Sequence, residues 1–145
     1  MKTLLDTCII IDALQSRVPF CKEAQEIFLF CADNTVEGFV TAKEVTDIYY
    51  LIHRQLHNDG KTREILRKIS TLFFLLDTTS LDIQKAISSQ SSDFGDAVMM
   101  ETALRSDMDC IVTRNKEDYV LSEIPVYTPT EFLRLLKMDF SHDGM

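Results

Sequence analysis

Little in this chain punctuates, cross-links or anchors it. Three prolines and four glycines in 145 residues leave little room for long loops, because these residues mark most turns. The cysteines, Cys8, Cys21, Cys31 and Cys110, are scattered. No Cys-x-x-Cys pair exists, and no histidine stands at zinc spacing from the cysteines, which argues against the usual structural zinc sites. Buried free thiols in a reducing compartment are the plain reading. No apolar run approaches the roughly 20 residues of a membrane span, and the longest, Ile69–Leu76, is interrupted by Ser70 and Thr71. The opening Met1-Lys2-Thr3-Leu4-Leu5-Asp6 brings an acid before any apolar stretch and carries no small-residue cleavage pattern, so it is not a signal peptide. A cytoplasmic protein without membrane association is expected.

Positive charge is also in short supply: 15 Lys and Arg stand against 23 Asp and Glu, a net charge of −8. That argues against tight, sequence-blind nucleic-acid binding, which relies on Lys and Arg to displace counterions. It leaves a nucleic-acid substrate open, because acids of a metal site add to the negative count. Basic residues do cluster, at His53, Arg54, His57, Lys61, Arg63, Arg67 and Lys68, a stretch that reads equally as solvated helix faces. No Gly-rich phosphate loop and no Gly-x-Ser-x-Gly elbow is present. A dehalogenase-like phosphatase would want an acid where Cys8 stands, and a receiver domain's paired acids and late Lys are not clear. His53 and His57 are four apart, but without a Glu beside His53 the zincin pattern fails.

What is present is an alternation of strands and helices. Residues 2–6 read as a buried strand, followed by a helix from Ile9 to Leu14 and another from Phe20 to Phe30, with Ala24, Ile27, Phe28 and Cys31 at helical spacing. Gly38–Val40 is a second strand. Thr41 starts a helix with Val45, Ile48, Tyr49, Ile52 and Leu56 on one face, widened by Tyr50 and Leu51. Asn58-Asp59-Gly60 signals a turn, and Thr62–Phe74 a helix. Phe74–Leu76, Asp109–Thr113 and Val126-Tyr127 read as strands; Leu81–Ser88 and Asp93–Arg105 read as helices. Thr128-Pro129-Thr130-Glu131 is a capping box with Pro at the first helical position, opening a last helix to about Met138. A parallel sheet covered on both faces is implied, with residues 1–140 as one domain and 141–145 as a frayed tail.

Acids recur where strands end or helices begin. In an open α/β sheet, ligands bind beyond the carboxyl ends of the strands, and carboxylates gathered there repel unless a hard divalent cation joins them. Asp6 ends the first strand, as a metal ligand or as the cap of the following helix. Glu44 completes a capping box with Thr41, and a carboxylate in that turn can also face the crevice. Asp93 and Asp96 share one face of a helix start, where capping alone would also favour acids. After the fourth strand, Thr113 is placed to orient a water or a carboxylate, Asn115 offers a neutral oxygen and Asp118 a charged one. Asp12 is a weaker candidate, expected to face solvent.

Taken together, Leu4–Asp12, Thr41–Val45, Asp93–Ala97, Ile111–Tyr119 and the ending Ile124–Leu133 resemble the PIN domain family, and within it the VapC-like toxin ribonucleases. The resemblance covers almost the whole chain, and the order of the motifs is more specific than any one of them. It implies an α/β fold, a three-layer α/β/α sandwich around a parallel sheet of four or five strands. It implies Asp6, Glu44 and Asp96 as the first three acids, with Asp93 as an additional metal ligand. The last acidic position departs from the pattern: Asn115 stands where members carry Asp, so Asp118 is the expected substitute, with Thr113 and Asn115 as supporting polar groups. Cys8 stands where members often carry Asn. The implied reaction is endonucleolytic hydrolysis of RNA with Mg²⁺ or Mn²⁺, by a toxin held inactive by a small antitoxin. The surplus apolar surface of the Thr41–Leu56 helix fits a homodimer, an antitoxin contact or an internal core contact. The alternative is a PIN-like module that binds RNA or protein without cutting, which the missing acid at Asn115 favours.

Overall fold

The computed structural model describes residues 1–143, with side chains as far as Met138. The backbone runs β1 (Lys2–Leu5), α1 (Thr7–Leu14), α2 (Cys21–Ala32), β2 (Glu37–Thr41), α3 (Ala42–Leu56), α4 (Asp59–Leu72), β3 (Phe74–Leu76), α5 (Ser80–Ile87), α6 (Phe94–Arg105), β4 (Cys110–Val112), a 3-10 turn at Lys116–Tyr119, β5 (Val126–Tyr127) and α7 (Pro129–Asp143). The strands form one sheet in the order β3-β2-β1-β4-β5, all parallel. β1 is central, buried on both faces, and the chain moves outward from it in opposite directions. The point of reversal lies between β1 and β4, where a doubly wound sheet opens its crevice. The register Leu5↔Val112 and Leu4↔Phe39 brings Asp6, Thr41 and Thr113 out at the same edge.

Alternation along the strands builds two cores. Leu5, Val40, Cys110 and Val112 join Ile9, Ile10, Ile27, Ile48 and Phe132 on one side. Leu4 and Ile111 face the other way, onto Met99, Ala103, Met108 and Tyr119. Each fully buried Leu or Ile contributes about 1.5–3 kcal/mol, and seven of them, Leu4, Leu5, Ile9, Ile10, Ile27, Ile48 and Ile111, have no exposed surface. Gly38 lets the layers close: a Cβ there would meet Cys31 Sγ at 2.7 Å and Phe73 Cδ1 at 2.8 Å. On the far side, Asp82 in the first turn of α5 is buried and accepts from Arg105 Nε at 2.9 Å and Thr102 Oγ1 at 3.0 Å. That network fastens α5 to α6, the helix that carries Asp96.

Three expectations change. Asn58-Asp59-Gly60 is the start of α4 rather than a separate turn, because the Asn58 side chain caps it by accepting from Lys61 N at 2.9 Å. α7 extends past Met138 to Asp143, so the backbone of 141–143 continues the helix, and 144–145 lie outside the described residues. The thiols are free, but only Cys31 and Cys110 are buried; Cys8 and Cys21 are half-buried.

Candidate active site

At the carboxyl edge of the sheet lies a cleft of about 420 Å³. Asp6 and Thr7 enter it from the β1–α1 junction, Lys43, Glu44, Asp47, Tyr50 and Leu51 from α3, and Asp93, Gly95, Asp96 and Met99 from the start of α6. Of the five acids proposed from the sequence, Asp6, Glu44, Asp93 and Asp96 line this cleft and Asp118 does not.

Asp6 is both cap and site residue. Its Oδ1 accepts from Thr7 N at 2.8 Å and caps α1, while its Oδ2 accepts from Thr113 Oγ1 at 2.7 Å. Burial pushes its pKa up against the lowering effect of those bonds. Thr113 is fully buried and also accepts from Asn115 N at 3.1 Å, which fixes its hydroxyl to donate to Asp6. Glu44, 1% exposed, completes the capping box: its Oε1 accepts from Thr41 N at 2.8 Å and its N donates to Thr41 Oγ1 at 3.0 Å. Its Oε2 accepts from Thr7 Oγ1 at 3.3 Å. Burial, then the charge of Asp6, raises its pKa well above the usual carboxylate range.

Asp93 caps α6 by accepting from Asp96 N at 2.9 Å and is exposed. Asp96 is pushed up to about 7, by burial first and then by the charges of Asp6 and Asp93. Asp118 does not line the cleft. It sits in the 3-10 turn beside a separate hollow with Glu117 and Val120, and acts on Asp96 only through its charge. Asn115 enters through its backbone N–H to Thr113.

Asp12 departs from expectation. It is fully buried rather than solvent-facing, because Arg114 Nε donates to it at 2.5 Å, and the Arg114 guanidinium lies over the Phe20 ring, 3.9 Å from its centroid. The basic stretch on α3 and α4 behaves as a solvated surface where Arg63 pairs with Asp59 and Arg67 with Glu64, all four exposed.

Two residues of the site, Asp47 and Tyr119, escaped sequence reasoning. Asp47 lines the cleft one turn beyond Glu44, and Lys43 Nζ pairs with its Oδ2 at 2.6 Å. The signal was the three-residue spacing from Glu44, which puts both acids on one helix face. Tyr119 reads in sequence as a core aromatic, and its ring is buried, but its hydroxyl donates to Asp96 Oδ1 at 3.1 Å and stands beside Asp6.

The donors facing the cleft are oxygens, and burial and mutual charge disfavour their ionised forms. That donor set suits a hard divalent cation, which takes carboxylate oxygens and favours their ionised forms. Asp6, Glu44, Asp47, Asp93 and Asp96 are the residues available to hold one. Among the described residues, no three His, Cys, Asp or Glu side chains stand close enough to share an ion in this conformation.

No curated protein matches the chain. Among solved structures, its fold is similar to that of a toxin–antitoxin complex from Klebsiella pneumoniae, at 20% identity, covering 88% of this chain and 97% of that one with a TM-score of 0.63. It is similar to VapBC2 from Rickettsia felis bound to a promoter DNA fragment, at 11% identity, 88% and 98% coverage and a TM-score of 0.67. It is also similar to Mycobacterium tuberculosis VapC20, a sarcin–ricin-loop-cleaving toxin, at 10% identity, 75% and 86% coverage and a TM-score of 0.61. At these identities the likeness is one of fold. The family profile described as PIN domain matches residues 2–117, and with that match over most of its length, the chain belongs to the PIN domain family.

Proposed function

We propose that this protein is a metal-dependent endoribonuclease, the toxin of a type II toxin–antitoxin pair acting in the cytoplasm. The observation that carries the reading is the gathering of Asp6, Glu44, Asp93 and Asp96 on one cleft at the switch point of the sheet. These acids would hold Mg²⁺ or Mn²⁺. Asp47 adds an accessible carboxylate, whereas both Glu44 oxygens already accept hydrogen bonds. The bound ion would supply charge for the phosphate and a water of lowered pKa. Thr113 orients Asp6, Tyr119 orients Asp96, and Asp118 tunes Asp96 from outside the cleft. A relative of the same fold that cleaves the sarcin–ricin loop supports RNA as substrate. Relatives solved with antitoxins support a small antitoxin as partner, and self-association into a homodimer belongs to the same reading.

The test is Mn²⁺-dependent cleavage of single-stranded RNA by the purified chain. Asp6→Asn and Asp96→Asn should lower the rate by orders of magnitude, because the metal positions and activates the attacking water. Asp47→Asn should be more damaging than Asp118→Ala or Asn115→Ala; the reverse order would assign the remaining ligand to the 113–119 segment. A second reading, an RNA- or protein-binding module that does not cut, is favoured by the spacing of the acids, no three of which close on one ion among the described residues. Wild type that binds RNA but cleaves none in Mg²⁺ or Mn²⁺ would establish it.

A further inference from the structure

We infer that Lys43 and Tyr50, on one face of α3, form the wall of the cleft that receives an unpaired nucleotide, the Lys43 ammonium taking a phosphate and the Tyr50 ring stacking on a base. The inference rests on the nuclease reading for what happens at the acidic wall, but the binding it describes is independent of cleavage. Positions 43, 47, 50 and 51 follow one another at helical spacing, and all four line the cleft. Among the described residues lining it, Lys43 alone is cationic, against Asp6, Glu44, Asp47, Asp93 and Asp96. A polyanion entering such a cleft needs a compensating positive charge. The pairing of Lys43 with Asp47 leaves the two side chains 36% and 41% exposed. Ion pairs so exposed are weakly held, which frees the ammonium to turn to a phosphate. Gly95 gives it room: a Cβ there would lie 3.1 Å from Lys43 Nζ, so the ammonium rests against bare backbone at the start of α6.

Tyr50 is the aromatic residue of the same lining, 71% exposed. Its ring is braced by Tyr49, with centroids 5.6 Å apart and planes at 84°. An exposed, braced aromatic beside a cation is the sequence-tolerant platform on which single-stranded bases stack. Leu51 and Met99 add apolar surface. At about 420 Å³ the cleft falls in the range of small-ligand sites, roughly 300–1,000 Å³. A base must leave its duplex to reach such a platform, so single strands are the substrate form.

The experiment is fluorescence anisotropy with a short fluorescein-labelled, unstructured oligoribonucleotide and the same sequence as a duplex, in Mg²⁺, on an Asp6→Asn background that arrests cleavage. Tyr50→Ala should weaken single-strand binding by about 5- to 150-fold, the range of one base stack, and Tyr50→Phe should restore it. Lys43→Gln should reduce the slope of log Kd against log salt by about 0.7, one phosphate contact on a single strand. Unchanged binding in Tyr50→Ala and Lys43→Gln, equal affinity for the duplex, or no measurable binding of either form would overturn the proposal. So would a Tyr50→Ala chain that loses self-association on size exclusion while binding RNA as before. Tyr50-dependent binding in a wild-type protein that never cleaves would instead sink the nuclease reading and leave this one standing.

Discussion

A carboxyl group buried beside other carboxyls gives up its proton late, and three side chains of the cleft do so. Asp6, Glu44 and Asp96 all have pKa values raised in the folded state, Asp96 to about 7. Between the unfolded carboxyl value, about 4, and that folded value, the native state holds more protons than the unfolded chain. Stability therefore falls as pH rises through the window. Metal-free protein is expected to melt at a higher temperature at pH 5 than at pH 8, and Asp96→Asn is expected to flatten the difference in a calorimetric scan. A wild-type melting temperature that climbs over the same range would contradict the assignment. Tyr119→Phe acts in the opposite sense on the same group, since its hydroxyl is the donor that holds the Asp96 pKa down. At this scale the sequence was only partly legible. Asp6 and Glu44 announce themselves by strand end and capping box, because both are local patterns. Tyr119 does not, because the partner that gives its hydroxyl a purpose lies 23 residues away.

Elements were easier to read than their attachments. The strand positions and the start of α3 follow from apolar runs and the Thr41–Glu44 capping box, signals contained within a few residues. The start of α4 is hidden in the sequence because Asn58-Asp59-Gly60 serves a turn and a helix cap equally, and only the Asn58 bond to Lys61 decides between them. α1 hides a different feature. Its Asp12 joins Arg114, 102 residues away, and ties the helix after β1 to the loop after β4. Asp12 is 1% exposed and Arg114 24%, so removing either partner has unequal effects. Arg114→Ala strands a buried carboxylate, and breaking a buried pair in that way costs about 3–5 kcal/mol. Asp12→Ala leaves a cation that still reaches water and should cost less. Urea denaturation of the two variants gives the order; equal losses would mean that the unequal burial of the two partners does not set the cost.

At the scale of the whole molecule, carboxylates crowded into one cleft oppose the fold when ionised, and a cation bound among them would offset that repulsion. Any ligand that binds only the native state stabilises it by mass action, about 2.7 kcal/mol at one hundred times its Kd. Mg²⁺ or Mn²⁺ should therefore raise the melting temperature, and Asp6→Asn should shrink that rise while stabilising the metal-free chain by removing one like charge. Identical metal-induced shifts in the two proteins would remove Asp6 from the ligand set.

The order β3-β2-β1-β4-β5 also governs when the cleft comes into being. Asp6 is among the first residues of the chain, yet the hydroxyl that orients it belongs to Thr113, 107 positions later. The β4 strand that delivers Thr113 pairs with β1 on one side and β5 on the other. Chains grow from the amino end, and their domains fold as units. A growing chain that stops short of Thr113 therefore carries Asp6, Glu44, Asp93 and Asp96 but lacks the hydroxyl that orients Asp6. Orientation of the acidic edge therefore waits for β4 to pair with β1, and the site and the sheet are completed in one event.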